Sequence, residues 1–95
     1  MDISWMPESL LDLRLIEEYI SEDSAVSAND VVQTIFHFVS KQIKTFPRSG
    51  RIGRVAGTFE LIVPRLPYFI PYRIHQNKIE ILRVYHTSRL LPERF

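Results

Sequence analysis

The chain lacks cysteine and long apolar runs, and both absences exclude classes of protein. Without cysteine it can form no disulfide, no thiolate metal site and no thiol nucleophile, which is typical of a reducing compartment. No apolar stretch approaches the roughly 20 residues that cross a bilayer, and the N-terminal residues lack the basic and apolar regions of a signal peptide. We therefore expect a cytoplasmic protein with no membrane partner.

Glycine and histidine are also too few or too scattered to build common binding sites. The three glycines, Gly50, Gly53 and Gly57, are not followed by Gly-Lys-Ser/Thr, and they connect a predicted helix to a strand, whereas nucleotide-binding loops run from strand to helix. The three histidines are dispersed, with no second ligand at metal-binding spacing. These absences predict a protein without a metal ion or other cofactor.

Charge is abundant but unevenly distributed along the 95 residues. Residues 1–40 contain eight acidic side chains against Arg14 alone, whereas residues 41–95 contain eleven Lys and Arg against three Glu. The stretch 41–54 carries five positive residues and no acid. Such asymmetry indicates a basic surface for an anionic partner, either nucleic acid or an acidic protein segment, or else two halves that attract each other in the fold.

The apolar spacing of the first half predicts a short strand and two helices. Residues 2–6 alternate in polarity, and Pro7 suits the first turn of a helix. A second helix is predicted to begin at Ser27, because Asp30 follows three residues later, and to end before Pro47. The two helices form an antiparallel hairpin in which the apolar stripes are expected to be buried as core.

The second half alternates with a period of two and predicts three strands. These span residues 58–63, 68–75 and 78–85, with Gln76-Asn77 as a hairpin turn between the last two. Pro71 cannot donate a ladder hydrogen bond, so we expect a bulge or an edge-facing position there. The predicted fold is α+β, a single domain over 1–95 with the helical hairpin packed on a three-stranded antiparallel meander.

The only residues that could supply catalysis are basic and aromatic. Cleavage of RNA needs a general base, a general acid and a cation near the phosphate, and Tyr85, His86 and Arg89 could provide them. Arg83 and Tyr85 share strand parity and should point to one face, with His86 on the other, which weakens a concerted Tyr–His site. The alternative is a groove for a partner peptide. The other candidate contacts are Arg54 and Arg73 for a target or partner, and Lys41, Lys44 and Arg51 for phosphate or another anion.

Several segments, in this order and spacing, resemble the ParE branch of the RelE/ParE toxins of bacterial type II toxin–antitoxin systems. The match runs over nearly the whole chain, beginning at Trp5-Met6-Pro7-Glu8-Ser9-Leu10. Its most specific segments are Gly57-Thr58-Phe59-Glu60-Leu61-Ile62-Val63, Pro67-Tyr68-Phe69-Ile70-Pro71-Tyr72-Arg73-Ile74 and Glu80-Ile81-Leu82-Arg83-Val84-Tyr85-His86-Thr87-Ser88-Arg89.

The resemblance implies a small toxin neutralised by a cognate antitoxin, ParD-like or other, whose C-terminal segment folds around the helical hairpin and the sheet. Members of the ParE branch block DNA gyrase, whereas RelE-branch toxins cleave mRNA on the ribosome. The nuclease branch usually has Arg where this chain has Phe69, which favours gyrase binding over chemistry. The expected target-facing residues are Arg54, Arg73, Arg83, His86 and Arg89. An mRNA endonuclease and a non-toxic antitoxin-binding homologue remain the alternatives.

Overall fold

The computed structural model describes residues 1–89, 91–92 and 95. Two helices and six strands follow one another along the chain. In order they are β1 (Asp2–Trp5), α1 (Pro7–Ser21), α2 (Ala25–Thr45), β2 (Arg51–Ile52), β3 (Phe59–Ile62), β4 (Tyr68–His75), β5 (Lys78–Ile81) and β6 (Tyr85–His86). Neither helix is long and apolar enough to span a bilayer, among the residues that the structure describes.

The predicted α+β fold is confirmed, and the meander β3–β4–β5 forms the centre of a larger sheet. The strand order is β1-β5-β4-β3-β2, with β6 pairing to β4. β1 runs parallel to β5, and the other pairs are antiparallel. Gln76 and Asn77 both have positive φ, 50° and 59°, as a two-residue type I′ hairpin requires.

The beginning of α2 differs from the prediction. Ser24, not Ser27, is the N-cap, and its side chain accepts a hydrogen bond from the Ser27 N–H at 3.2 Å. The side chain of an N-cap residue accepts a hydrogen bond from the backbone N–H two or three residues later. Because Ser24 accepts from the Ser27 N–H, Ser27 belongs to the first turn of the helix. The helix therefore starts at Ala25 and leaves only a tight turn after α1.

The helices do not contribute equally to the core, and this corrects the expectation that both apolar stripes are buried. α2 buries Ile35, Val39 and Ile43 completely against the sheet, whereas Leu13 is the single large apolar residue that α1 buries. Ile16 and Ile20 are partly buried, but four large apolar residues of α1 are about half exposed or more: Leu10 (49%), Leu11 (51%), Leu15 (52%) and Tyr19 (75%). α1 thus packs beside α2 and leaves an apolar stripe facing outward.

The third predicted strand is interrupted. Residues 82–84 separate β5 from β6 and are not in strand conformation, because the Val84 N–H donates to the Asp12 carboxylate at 2.9 Å instead of to a neighbouring strand. The irregularity lies beside Pro71, as predicted. The Pro71 carbonyl accepts from the Leu82 N–H at 2.9 Å, and the N and C=O of one residue point to the same side of a strand, so the missing donor faces this break.

Candidate functional site

The sheet face opposite the helices carries two buried aromatic rings. Phe69 of β4 pairs in register with Tyr85 of β6, and their ring centroids lie 5.8 Å apart in an edge-to-face arrangement. Neighbouring strand residues Ile70 and Tyr72 point into the core, so alternation places Phe69, and Tyr85 with it, on the other face. Both rings are almost completely buried although no helix covers this face.

Guanidinium groups provide part of that cover, and the Phe95 ring stacks on Tyr85 with the two centroids 6.3 Å apart. The Arg54 guanidinium carbon lies 4.9 Å from the Phe69 ring centroid, and those of Arg83 and Arg89 lie 4.6 and 4.7 Å from the Tyr85 centroid. Such cation–π contacts contribute about 0.5–2 kcal/mol each, more as they become desolvated. We refer to Arg54, Phe69, Arg83, Tyr85 and Arg89 as the guanidinium cluster. Three of the predicted target-facing residues are therefore brought together.

Arg83 is fixed by the carboxylate of Asp12 on α1. Its Nε and Nη2 donate to the two Asp12 oxygens at 2.7 and 2.9 Å, and Asp12 is 8% exposed. The hydrogen bond with Asp12 raises the pKa of Arg83, outweighing the opposite effect of burial. The prediction that Arg83 and Tyr85 share a face is confirmed by their stacking, and the helix that holds Arg83 in place was not foreseen.

Arg54 is held in a second carboxylate pair, on Glu60 of β3. Glu60 is 2% exposed and accepts from the Arg54 backbone N–H at 3.0 Å and from the Arg54 and Arg51 side chains. Burial alone would raise the pKa of Glu60, but the hydrogen bonds from Arg54 and Arg51 offset it, so that the pKa is lowered. Residues 41–54 contain no acid of their own, and two of their arginines, Arg51 and Arg54, pair instead with Glu60 in the following strand.

Arg73 pairs with Glu80 across the β4–β5 ladder, with 2.6 Å between Arg73 Nε and Glu80 Oε1. The side chains of Arg54 and Arg73 nevertheless stay about half exposed, at 54% and 46%. Glu80 offsets the charge of Arg73, whereas the single carboxylate of Glu60 is shared by Arg51 and Arg54 and leaves one net positive charge there. The planar guanidinium groups remain accessible for contacts with a partner protein.

His86 and Arg89 lie on the exposed turn that follows β6. The Ser88 N–H donates to His86 Nδ1 at 3.2 Å, and since a backbone N–H can only donate, the proton of the neutral imidazole sits on Nε2. His86 therefore presents a donor to solvent in its neutral form. Arg89 has no carboxylate within salt-bridge distance among the described residues, which makes it an exposed cation of the cluster.

A groove of about 280 Å³ separates this turn from α1. Leu15, Ile16 and Tyr19 form one wall, and Tyr68, His86 and Arg89 form the other. The exposed stripe of α1 continues along this groove, so the apolar surface and the guanidinium cluster share a border. No pattern in the sequence distinguished these exposed leucines from core, since both follow helical spacing.

Of the predicted anion contacts, Lys41 and Lys44 are not part of the cluster, whereas Arg51 adjoins it through the carboxylate of Glu60, which it shares with Arg54. Lys41 and Lys44 are exposed on the last turns of α2, and Arg51 belongs to the Glu60 pair at the β2 edge. Among the described residues, no three His, Cys, Asp or Glu side chains lie together as metal ligands would. Two residues of this site were missed by sequence reasoning, Asp12 and Glu60, and both are isolated acids within apolar stretches, which is the signal that could have found them.

Comparison with known proteins identifies the family. Residues 3–91 match the model of the ParE toxin of the type II toxin–antitoxin system parDE. The chain is 38% identical over 91 residues to a Sinorhizobium fredii protein named "putative toxin Y4kP", covering 96% of this chain and 93% of that one. It is 26% identical over 88 residues to toxin RelE2 of Caulobacter vibrioides, covering 93% and 97%.

A solved structure agrees. A chain of the chromosomal ParDE toxin–antitoxin system from P. aeruginosa superposes with a TM-score of 0.83 at 28% identity, over 90% of this chain and 95% of that one. The family match spans both helices, β2 to β6 and β1 from its second residue. This chain therefore belongs to the ParE toxin family of type II toxin–antitoxin systems.

Proposed function

We propose that this toxin acts in the cytoplasm by binding DNA gyrase through the guanidinium cluster, with Arg73 and His86 at its border, and that a cognate antitoxin neutralises it. The observation that carries the proposal is the packing of Tyr85. Tyr85 is 2% exposed, and its ring is in contact with the guanidinium groups of Arg83 and Arg89 and with the ring of Phe95. The cluster is a preformed surface of flat cations on aromatic rings, which is the composition of protein-binding hot spots.

The same geometry gives little support to chemistry. A general base must reach the proton that it removes, and the burial of Tyr85 leaves its hydroxyl little access to a substrate. Arg54, Arg73 and Arg83 already have carboxylate partners, so their charge is less available for a phosphate. Binding requires none of these groups to change protonation state, and therefore fits the site better.

Gyrase supercoiling in the presence of purified toxin tests the target. We expect inhibition by the wild-type chain and at least tenfold weaker inhibition by Arg89→Ala, since loss of a hot-spot arginine costs about 2 kcal/mol or more. Arg48→Ala is the matched control, because Arg48 is an exposed arginine in the connection between α2 and β2 and does not stack on Phe69 or Tyr85. Unchanged supercoiling at excess wild-type toxin would refute gyrase as the target.

The exposed stripe of α1 is our proposed antitoxin surface. Leu11, Leu15 and Tyr19 recur every four residues on one helix face and remain at least half exposed, and covering each leucine fully would contribute about 1 kcal/mol or more. The groove beside the stripe contains Arg89, so an antitoxin helix with apolar residues at matching spacing and one carboxylate would cover part of the cluster directly.

Co-expression tests this surface. Leu11→Glu should keep its toxicity but escape neutralisation by the antitoxin, because a buried carboxylate opposes docking and Leu11 does not line the groove that contains His86 and Arg89. Ile52→Glu, at an 87% exposed position on the β2 edge of the sheet, should be neutralised like the wild type. If Leu11→Glu is neutralised equally well, α1 is not the antitoxin surface.

An mRNA endonuclease is the second candidate, supported by the exposure of His86 and Arg89 on one turn. It predicts cut mRNA in a translating extract, lost in His86→Phe and Arg89→Ala. A chain that only binds antitoxins, the third candidate, predicts harmless expression without antitoxin. Arrest of DNA replication before translation would separate the gyrase proposal from both.

A further inference from the structure

Phe46 lies at the end of α2 with its ring largely in solvent. It is 59% exposed, although it directly follows the helix that packs on the sheet. The ring stacks on no other aromatic ring among the residues that the structure describes. An aromatic ring gains most from an offset or edge contact with another planar group, so this exposed ring is available for one that a ligand brings.

The backbone holds Phe46 in this position. A proline disfavours helical geometry in the residue before it, and Phe46, which precedes Pro47, leaves the helix with φ −130° and ψ 81°. The Phe46 carbonyl accepts from the Ser49 N–H at 3.0 Å. The Tyr72 hydroxyl donates to the Pro47 carbonyl and accepts from the Gly50 N–H, both at 3.0 Å. The ring is therefore attached to a turn that is fixed before any ligand binds.

Two grooves meet at Phe46, and each contains one cation. The first has a volume of about 170 Å³ and is lined by Phe38 and Lys41 as well as Phe46. The second has a volume of about 400 Å³ and is lined by Phe46, Pro47 and Arg48. In the described part of the chain, no acidic residue lines either groove. Lys41 and Arg48 thus each share a groove with the exposed ring.

The charges of Lys41 and Arg48 are not offset by a nearby acid. Both residues are exposed, and within the described ranges neither has a carboxylate within 4.0 Å. Arg51 and Arg54, by contrast, share the carboxylate of Glu60. An unpaired cation attracts an anion more strongly than a paired one, because no opposite charge cancels its field. The two grooves are therefore suited to anionic groups.

We propose that the end of α2 binds single-stranded nucleic acid, with a base stacked on Phe46 and the phosphates on its two sides in contact with Lys41 and Arg48. Exposed aromatic rings beside cations are typical of surfaces that bind single strands, because every base has a flat face and every nucleotide brings a phosphate. A duplex keeps its bases stacked inside and cannot use the ring. None of these three residues belongs to the guanidinium cluster, so the inference does not depend on gyrase as the target.

Titration of the purified chain with short oligonucleotides, followed by NMR, tests this surface. Hexathymidylate and hexauridylate are the probes, and an abasic hexamer, which has the same phosphates but no bases, is the control. We expect saturable shifts of the backbone amide signals of residues 41–49 with both probes. The abasic hexamer should bind about fivefold more weakly or worse, since it loses the stacking of a base. The probe that binds more tightly identifies DNA or RNA as the source of the strand.

The salt dependence of binding counts the phosphate contacts. Contacts with two phosphates of a single strand predict a slope of about −1.4 for log K against log salt concentration, so that doubling the salt weakens binding about 2.5-fold. Lys41→Gln should reduce this slope to about −0.7. Lys44→Gln is the matched control, because it removes the same charge from the same helix but Lys44 lines neither groove at Phe46. Its slope should stay near the wild-type value.

Phe46→Leu separates stacking from charge. The side chain is exposed, so leucine should leave the fold intact. Binding of hexathymidylate should weaken about fivefold or more, whereas the salt slope and the binding of the abasic hexamer should not change. Arg48→Ala should weaken oligonucleotide binding but not gyrase inhibition, and Arg89→Ala should have the reverse effect. The two surfaces can thus fail independently.

Four results would overturn the proposal. These are the absence of shifts in residues 41–49, equal binding of hexathymidylate and the abasic hexamer, undiminished binding to Phe46→Leu, and equal losses in Lys41→Gln and Lys44→Gln. Hexaglutamate is the last probe, and binding as tight as that of hexathymidylate would show that the surface takes an acidic protein segment instead. Because supercoiling is not the readout of these titrations, their failure leaves the gyrase proposal unaffected.

Discussion

Replacing Asp12 by alanine should destabilise the fold more than any exposed charge substitution, because its carboxylate joins α1 to the break between β5 and β6. The side chain is 8% exposed and accepts hydrogen bonds from Arg83 Nε, Arg83 Nη2 and the Val84 N–H. A buried N–H left without an acceptor costs about 1–3 kcal/mol. Arg83 is 26% exposed, so it recovers part of its hydration, and its lost bonds add about 1–2 kcal/mol.

The sum for Asp12→Ala is about 2–5 kcal/mol in the free energy of unfolding, measured by urea denaturation. Asp12→Asn keeps an oxygen for the Val84 N–H and should lose about 1–2 kcal/mol. Glu18→Ala is the control, since it breaks an exposed helix pair with Arg14 and should leave the midpoint almost unchanged.

A double-mutant cycle decides whether the pair with Arg83 is responsible. Asp12→Ala and Arg83→Met should be coupled by about 1 kcal/mol or more, because each residue loses the same two hydrogen bonds. Additive effects, with a coupling below about 0.3 kcal/mol, would refute the reasoning. A folded Asp12→Ala chain that unfolds like the wild type would refute it as well.

Three further predictions concern stability. Glu60→Gln should destabilise the chain at pH 7 but progressively less in acid, because a folded-state pKa below the ordinary 4.5 gives stability above that value that is lost as pH falls through the folded pKa; a pH-independent difference in urea midpoints would contradict this. Tyr72→Phe should cost about 1–2 kcal/mol, because the buried hydroxyl donates to the Pro47 carbonyl and accepts from the Gly50 N–H, both at 3.0 Å; an unchanged thermal midpoint would count against it. Gln76→Gly should stabilise the hairpin by about 0.5–1 kcal/mol, since Gln76 has φ of 50°, and a lower melting temperature would disprove the strain.

β3, β4 and the hairpin turn were predictable because they depend on neighbours in sequence, whereas β2 and the break after β5 were not. Alternation fixed β4 at Tyr68–His75, and Gln76-Asn77 marked the turn to β5. The start of α2 was misplaced at Ser27, because a serine near a helix start satisfies the local pattern at two positions. Hydrogen-bond geometry chooses between them, and it gives Ser24.

The exposed stripe of α1 could not be predicted for a different reason. Helical spacing shows that Leu11, Leu15 and Tyr19 lie on one face, but whether that face meets the sheet depends on the rotation of α1 beside α2. Asp12 is buried with Leu13 on the inward side, which turns the leucines outward. The leucines of the proposed antitoxin surface are therefore exposed because α1 is oriented with the Asp12 carboxylate facing inward.

By itself the sequence determined the order of elements, the pairing of the meander and the family, since periodicity, turn residues and motif spacing are properties of the linear chain. Only the tertiary structure decided which charges are available. Asp12 forms an ion pair with Arg83, which lies 71 positions later in the sequence. Glu60 pairs with Arg51 and Arg54, whereas Arg89 stays exposed beside the groove. A count of charges records their number, but the field that a partner meets depends on their distances in space.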